Sequence, residues 1–289
     1  MIQRVTEQPR RRPALGRRSA GGVLLAVALV LCGGGVASGV IGGRATRVTE
    51  APWSVVVYKW TSLSSGLASP LCTGVIISRW KIVTAANCLM PSESSVRASA
   101  PIWFLIEAGV SNFRHPLASD HPQWREVKAV WTMRGYIAES KTTLLNFGVA
   151  AAHDLAVLKL SRPLELSGDD ARAAHLPRAL FPLRGKRILT AGFGAEKSTG
   201  NNPNGTLNEA PKPTVAQGCF GKGLLCVGMK TATCSADDGA GLIVAGPHPT
   251  VIGILTGDTH CSTTRKATYI AFYTSLTRSS ARRFIKTGK

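Results

Sequence analysis

Acidic residues are scarce in this 289-residue chain: 16 Asp and Glu stand against 35 Lys and Arg, a formal net charge of +19. The imbalance sets a preference for anionic surfaces or polymers and says nothing about fold. A long apolar run is missing too. The run Val23–Leu31 near the N-terminus stops after nine residues, against the roughly 20 that a transmembrane helix requires, so no stable membrane anchor is expected. Aromatic residues are few, 6%, and scattered, which leaves no stacking platform for single strands and no specific sign of a nucleic-acid partner. The six histidines (His115, His121, His153, His175, His248 and His260) form no compact pattern such as two histidines four apart beside a glutamate. Neither a metal nor any other cofactor is therefore expected. No internal repeat is evident.

Hydrophobic residues, at 44%, are sufficient to fill a sizeable core in one large domain or two small packed ones. At the N-terminus, Arg4, Arg10, Arg11, Arg12, Arg17 and Arg18 precede the apolar run, and small residues follow through Gly39. That order reads as a secretory signal peptide with a basic leader over residues 1–39, ahead of a mature domain over 40–289 and an extracellular destination; a mitochondrial presequence is the competing reading. Removing the leader leaves the mature chain at +14. Cys32 would leave with it. The remaining Cys72, Cys88, Cys219, Cys226, Cys234 and Cys261 are even in number, as disulfide pairing in an oxidising compartment requires, although the count alone leaves every connectivity open.

Short apolar stretches recur between turn residues: Trp53–Trp60, Val75–Thr84, Trp103–Ala108, Leu155–Leu160, Arg187–Phe193, Leu224–Val227, Leu242–Ala245 and Val251–Leu255. This spacing predicts an all-β sandwich or barrel rather than βαβ units. The Gly- and Pro-rich segment Ser198–Pro213 reads as a long surface connection, and Asn204 within it heads a glycosylation acceptor string. Near the C-terminus, Leu276, Ala281, Phe284 and Ile285 fall on one side of a helix and Arg278, Arg282 and Lys286 on another. A terminal helix with a solvated basic row follows.

Several strings resemble, in order, those of the chymotrypsin/trypsin (S1) serine protease family over nearly all of residues 40–289. They are Val40-Ile41-Gly42-Gly43 with Ala51-Pro52-Trp53-Ser54-Val55, Leu71-Cys72-Thr73-Gly74, Ile82-Val83-Thr84-Ala85-Ala86-Asn87-Cys88, Asp154-Leu155-Ala156-Val157-Leu158, Gly192-Phe193-Gly194 and Cys234-Ser235-Ala236-Asp237-Asp238-Gly239. The resemblance implies two six-stranded antiparallel β-barrels packed face to face, with a cleft between them and a C-terminal helix. It also implies the disulfides Cys72 with Cys88, Cys219 with Cys226, and Cys234 with Cys261.

Carried over residue by residue, the family's imidazole base falls on Asn87, its buried carboxylate on Asp154 and its nucleophile on Asp238. An amide accepts no proton near neutral pH, and a carboxylate puts negative charge where an oxyanion has to develop. The resemblance therefore implies a degenerate triad and an inactive protease homologue. Ala236 stands where a glycine supplies an oxyanion-hole N–H. Ala232, Thr256, Gly257 and Asp258 fall at substrate-pocket positions. Asp237 is expected to pair with the α-ammonium of Val40 once the leader is removed. Asp154 is expected to act as an acceptor for neighbouring N–H groups, the Asn87 amide included. The function implied is a secreted, non-catalytic binding or regulatory protein for a protein or anionic polysaccharide partner, with Arg278, Arg282, Arg283, Lys286 and Lys289 as candidate anion contacts. An atypical hydrolase, or a serine-type endopeptidase assigned by fold, is the alternative.

Overall fold

The computed structural model describes residues 40, 42–62, 64–90, 98–136, 152–178, 183, 186–194, 205–210, 213–217, 223–234, 236–258 and 269–288. All of them belong to one unit, Val36–Lys289. The strands in chain order are β1 (Arg44–Ala45), β2 (Ser54–Ser62), β3 (Leu67–Ser78), β4 (Lys81–Thr84), β5 (Phe104–Ala108), β6 (Gln123–Thr132), β7 (Ala156–Leu160), β8 (Ile188–Gly192), β9 (Asn208–Ala210), β10 (Thr214–Gln217), β11 (Leu224–Met229), β12 (Gly241–Val244), β13 (Thr250–Asp258) and β14 (Tyr269–Ser275).

Six of these strands close into an antiparallel barrel in the order β2-β3-β4-β7-β6-β5. β-Branched runs such as Val55-Val56-Val57 and Ile82-Val83-Thr84 suit its pleated, buried walls. Val55, Val57, Val75, Ile82, Ile106 and Leu158 are fully buried. They belong to a core cluster that continues across the seam to Leu189, Phe193, Ile243, Val251 and Ile254 of the second half. That continuity is what fixes one half against the other.

The second half differs from the expected six-stranded barrel. Among the described residues it is an eight-stranded sheet in the order β1-β9-β8-β12-β13-β14-β11-β10, and it does not close. The physical reason lies at its ends. The two-residue β1 extends the sheet beyond β9, β10 extends it beyond β11, and these two edges do not pair with each other. The sheet's own core gathers Leu225, Val227, Leu242, Val244, Ile252, Leu255 and Tyr273, and Val40 is buried among them.

The reading of Ser198–Pro213 as a surface connection is also corrected over the described residues 205–210. Leu207, Asn208 and Ala210 are fully buried, and β9 pairs with β8 through Thr190, Ala191 and Gly192. Turn residues on both sides concealed a three-residue strand.

A single helix, α1 (Ser279–Thr287), ends the described chain. Ala281, Phe284 and Ile285 are buried and join the first barrel's core cluster. Gly288 closes the helix in the left-handed conformation, its N–H donating to Phe284 O at 2.7 Å. Lys81 of β4 donates to the carbonyls of Ile285 and Lys286 at 3.1 and 2.9 Å, placing a cation at the negative end of the helix dipole.

Candidate functional site

The register of β4 against β7, with Thr84 opposite Ala156, brings the ends of two strands together. Asn87 opens the short turn Asn87–Leu89 just after β4, and Asp154 sits just before β7. The Asn87 backbone N–H donates to Asp154 Oδ1 at 2.8 Å. Cys88, next in the chain, is joined to Cys72 of β3. That bridge ties the turn to the barrel wall and closes a short loop, a constraint of about 3 kcal/mol on the unfolded chain.

Asp238 reaches the same point from the other half, on the turn that precedes β12. Thr73 of β3 holds that turn: its N–H donates to Asp238 O at 3.0 Å and its Oγ1 to Ala236 O at 2.9 Å. Gly239 lets the turn approach. A Cβ there would lie 2.1 Å from both Thr73 O and Thr84 Oγ1, and its φ is +85°. The result is a direct contact across the seam, with Asn87 Nδ2 donating to Asp238 Oδ2 at 2.7 Å.

Sequence reasoning offered the Asn87 amide to Asp154. The structure corrects this, because the amide turns to Asp238 while Asp154 takes the backbone N–H instead. Asp154, fully buried, also accepts the Thr256 hydroxyl through Oδ2. Its two oxygens are thus directed by two separate strand ends. Asn87 Oδ1 is buried without a hydrogen-bond partner among the described residues. The opposite amide orientation would set that oxygen against the Asp238 carboxylate, so electrostatics fixes which way the amide faces.

Ala236 is at φ +71°, a left-handed conformation that an alanine occupies at a cost of about 1 kcal/mol relative to glycine. The turn keeps its shape despite the Cβ. Asp237, fully buried, accepts N–H groups from Gly194 at 2.8 Å and Cys234 at 2.9 Å. Gly192 and Gly194 make room for it, since a Cβ on either would lie within 2.4 Å of the carboxyl group. In the full-length chain the Val40 nitrogen is an amide, so the α-ammonium expected to pair with Asp237 is not present.

Of the residues expected at pocket positions, Ala232 and Thr256 are fully buried and Gly257 takes φ +151°. The Asp258 side chain lies outside the described residues, as do Cys219, Cys261, Asn204 and Lys289. Cys226 and Cys234 are both disulfide-bonded.

The basic row on α1 is divided. Arg278 donates to Ala152 O at 3.4 Å and Arg282 to the carbonyls of Leu276 and Thr277. Arg283 and Lys286 face solvent. Two of the proposed anion contacts are therefore already engaged with the protein's own carbonyl groups, a role that helical spacing could not reveal.

Chemically the seam holds an amide, two carboxylates and a threonine hydroxyl that donates to one of them. Residues 40–282 match the family description Trypsin. Trypsin alpha of Drosophila erecta is 25% identical over 257 residues, covering 81% of this chain and 85% of its own length. Trypsin alpha of Drosophila melanogaster is 26% identical over 259 residues, with coverages of 81% and 85%. Transmembrane protease serine 11G of Rattus norvegicus is 29% identical over 217 residues, 70% of this chain and 46% of that protein. A match that runs from the start of the described residues into the terminal helix, on a barrel and sheet meeting at this seam, has one reading: the chain belongs to the chymotrypsin/trypsin (S1) protease family.

Proposed function

We propose that this family member has exchanged acyl transfer for binding, and that it is a secreted, non-catalytic protein with an anionic partner. The observation that carries the reading is the 2.7 Å hydrogen bond from Asn87 Nδ2 to Asp238 Oδ2. The side chains at the expected base and nucleophile positions bond directly to each other. The amide cannot take up a proton at neutral pH, and the carboxylate opposes the negative charge that a tetrahedral intermediate develops. Asp154 remains, but a carboxylate that orients an imidazole has nothing to orient here.

The mature charge of +14 supports an acidic polysaccharide or acidic protein as the partner. The family match itself favours a second reading, an atypical hydrolase or a serine-type endopeptidase assigned by fold. Purified protein offered a fluorophosphonate probe and a broad peptide library separates the two: neither labelling nor cleavage is expected, and turnover of any peptide would establish the hydrolase.

Secretion rests on the basic leader and its apolar run, with cleavage after Gly39. Val40 buried in the second core supports that boundary, because a start at this residue keeps its side chain as an anchor. Intact-mass analysis of secreted protein is expected to place the first residue at Val40. A start further downstream would remove the anchor and the argument with it.

A further inference from the structure

On the seam at the far end of β12 from Asp238 lies a cavity of about 670 Å³ lined by arginines from three separate segments: Arg44, Arg172 and Arg187. His175 also lines it, with the His248 ring packed edge-on at 5.5 Å. We propose that this cavity binds the sulfate or carboxylate groups of an anionic polysaccharide; the proposal rests on the binding role above and gives it a location.

Its walls are preformed. Arg172 N donates to Pro52 O at 2.9 Å, His175 N to Pro249 O at 2.8 Å, and Ala245 N to Arg187 O at 2.9 Å. These bonds fix four wall segments, at Pro52, 172–175, Arg187 and 245–249, to one another, and Pro52, Pro247 and Pro249 stiffen the lining. A rigid site loses little entropy when it is occupied.

Two of the guanidinium groups converge. Arg44 and Arg187 approach the same carboxylate, Glu209, at 3.4 and 3.6 Å, which holds two like charges close together. Glu50 is a second partner of Arg44 at 3.0 Å, and Arg172 meets Asp169. Three carboxylates thus offset three arginines.

What favours an added anion is donor capacity. Each guanidinium carries five N–H groups in a planar fork suited to bidentate recognition of sulfate or carboxylate, and surface pairs of this kind are worth no more than about 1 kcal/mol each. The Arg44, Arg172 and Arg187 side chains remain 64%, 56% and 71% exposed, so a multivalent ligand reaches all three without displacing the fold. Trp53 on the same lining is buried, and its Nε1–H has no hydrogen-bond partner among the described residues.

The test is a titration of the whole secreted protein with a heparin-derived oligosaccharide at roughly physiological salt. The variants are Arg172→Ala/Arg187→Ala, Arg172→Lys/Arg187→Lys, and Arg283→Ala/Lys286→Ala on α1, with unchanged circular dichroism as the control for folding. The alanine pair in the cavity is expected to weaken binding at least about tenfold and the lysine pair by an intermediate factor, while the α1 pair changes it less than about twofold. Full binding by the lysine pair would reduce the site to net charge and overturn the proposal. Equal losses in the cavity and α1 pairs, or unchanged binding by the cavity alanine pair, would overturn it as well while leaving an anionic partner in place. Wild-type protein that ignores the oligosaccharide would instead remove the polysaccharide reading at its source.

Discussion

Asn87 and Asp238, which the sequence resemblance sets at reaction positions, are in direct contact. One comes from the end of a barrel strand and the other from a turn of the opposing sheet, so their 2.7 Å bond joins the two halves. Both identities were legible in the sequence; their mutual bond was not, because register and turn shape decide where an amide points. Glu107 is a residue that sequence reasoning missed altogether. It is 1% exposed and accepts the Tyr58 hydroxyl at 2.6 Å, with the Trp124 ring 5.0 Å from that of Tyr58. Burial pushes its carboxyl up from 4.5 to about 7; the Tyr58 hydrogen bond works against the rise and the Asp120 charge adds to it. The unfolded chain releases this proton near 4.5 and the folded chain holds it to about 7. The stabilisation is therefore complete below the lower value and is lost as pH climbs through the upper one. Glu107→Gln retains an acceptor for Tyr58 and is expected to flatten the stability curve between roughly pH 5 and 7, by about 3 kcal/mol at most. Urea unfolding of both proteins across that window decides it: parallel curves would assign the dependence to another group.

At the scale of elements, the turn 236–239 and β3 form the hinge on which the site is built. Gly239→Ala would bring a Cβ within 2.1 Å of Thr73 O and Thr84 Oγ1 at a φ of +85°. With both a clash against backbone and a left-handed conformation to bear, the variant is expected to lose at least about 3 kcal/mol or fail to accumulate folded. Denaturant midpoints measure this, and a loss under about 1 kcal/mol would show that the turn is free to move aside. Short apolar runs made β2, β5, β7, β8, β11, β12 and β13 legible, while the run Val75–Thr84 merged the end of β3 with β4. β6 was hidden because Trp124, Glu126 and Lys128 face outward and break the run with charge. β1 and β9 were hidden by brevity: two or three residues carry no period. The terminal helix was legible from Leu276, Ala281, Phe284 and Ile285, yet the work of Arg278 and Arg282 inside the fold was not, because their carbonyl partners come from the preceding turn and from Ala152.

At the scale of the whole molecule, a closed barrel and an open eight-stranded sheet share one apolar seam, and chemistry and charge occupy different places along it. The Asn87–Asp238 contact lies at one end of β12 and the arginine-lined cavity at the other. Family membership was legible from strings whose order survives, while closure of the second sheet was not, because it depends on edge strands too short to announce themselves. The central claim is that a family fold persists here without acyl transfer, and intact-mass spectrometry after exposure to a serine-directed fluorophosphonate tests it most directly. Wild-type protein is expected to keep its mass unchanged while active trypsin in the same mixture gains one adduct. A stoichiometric adduct on the wild-type chain would mean that a nucleophilic hydroxyl is activated after all, and would contradict the account.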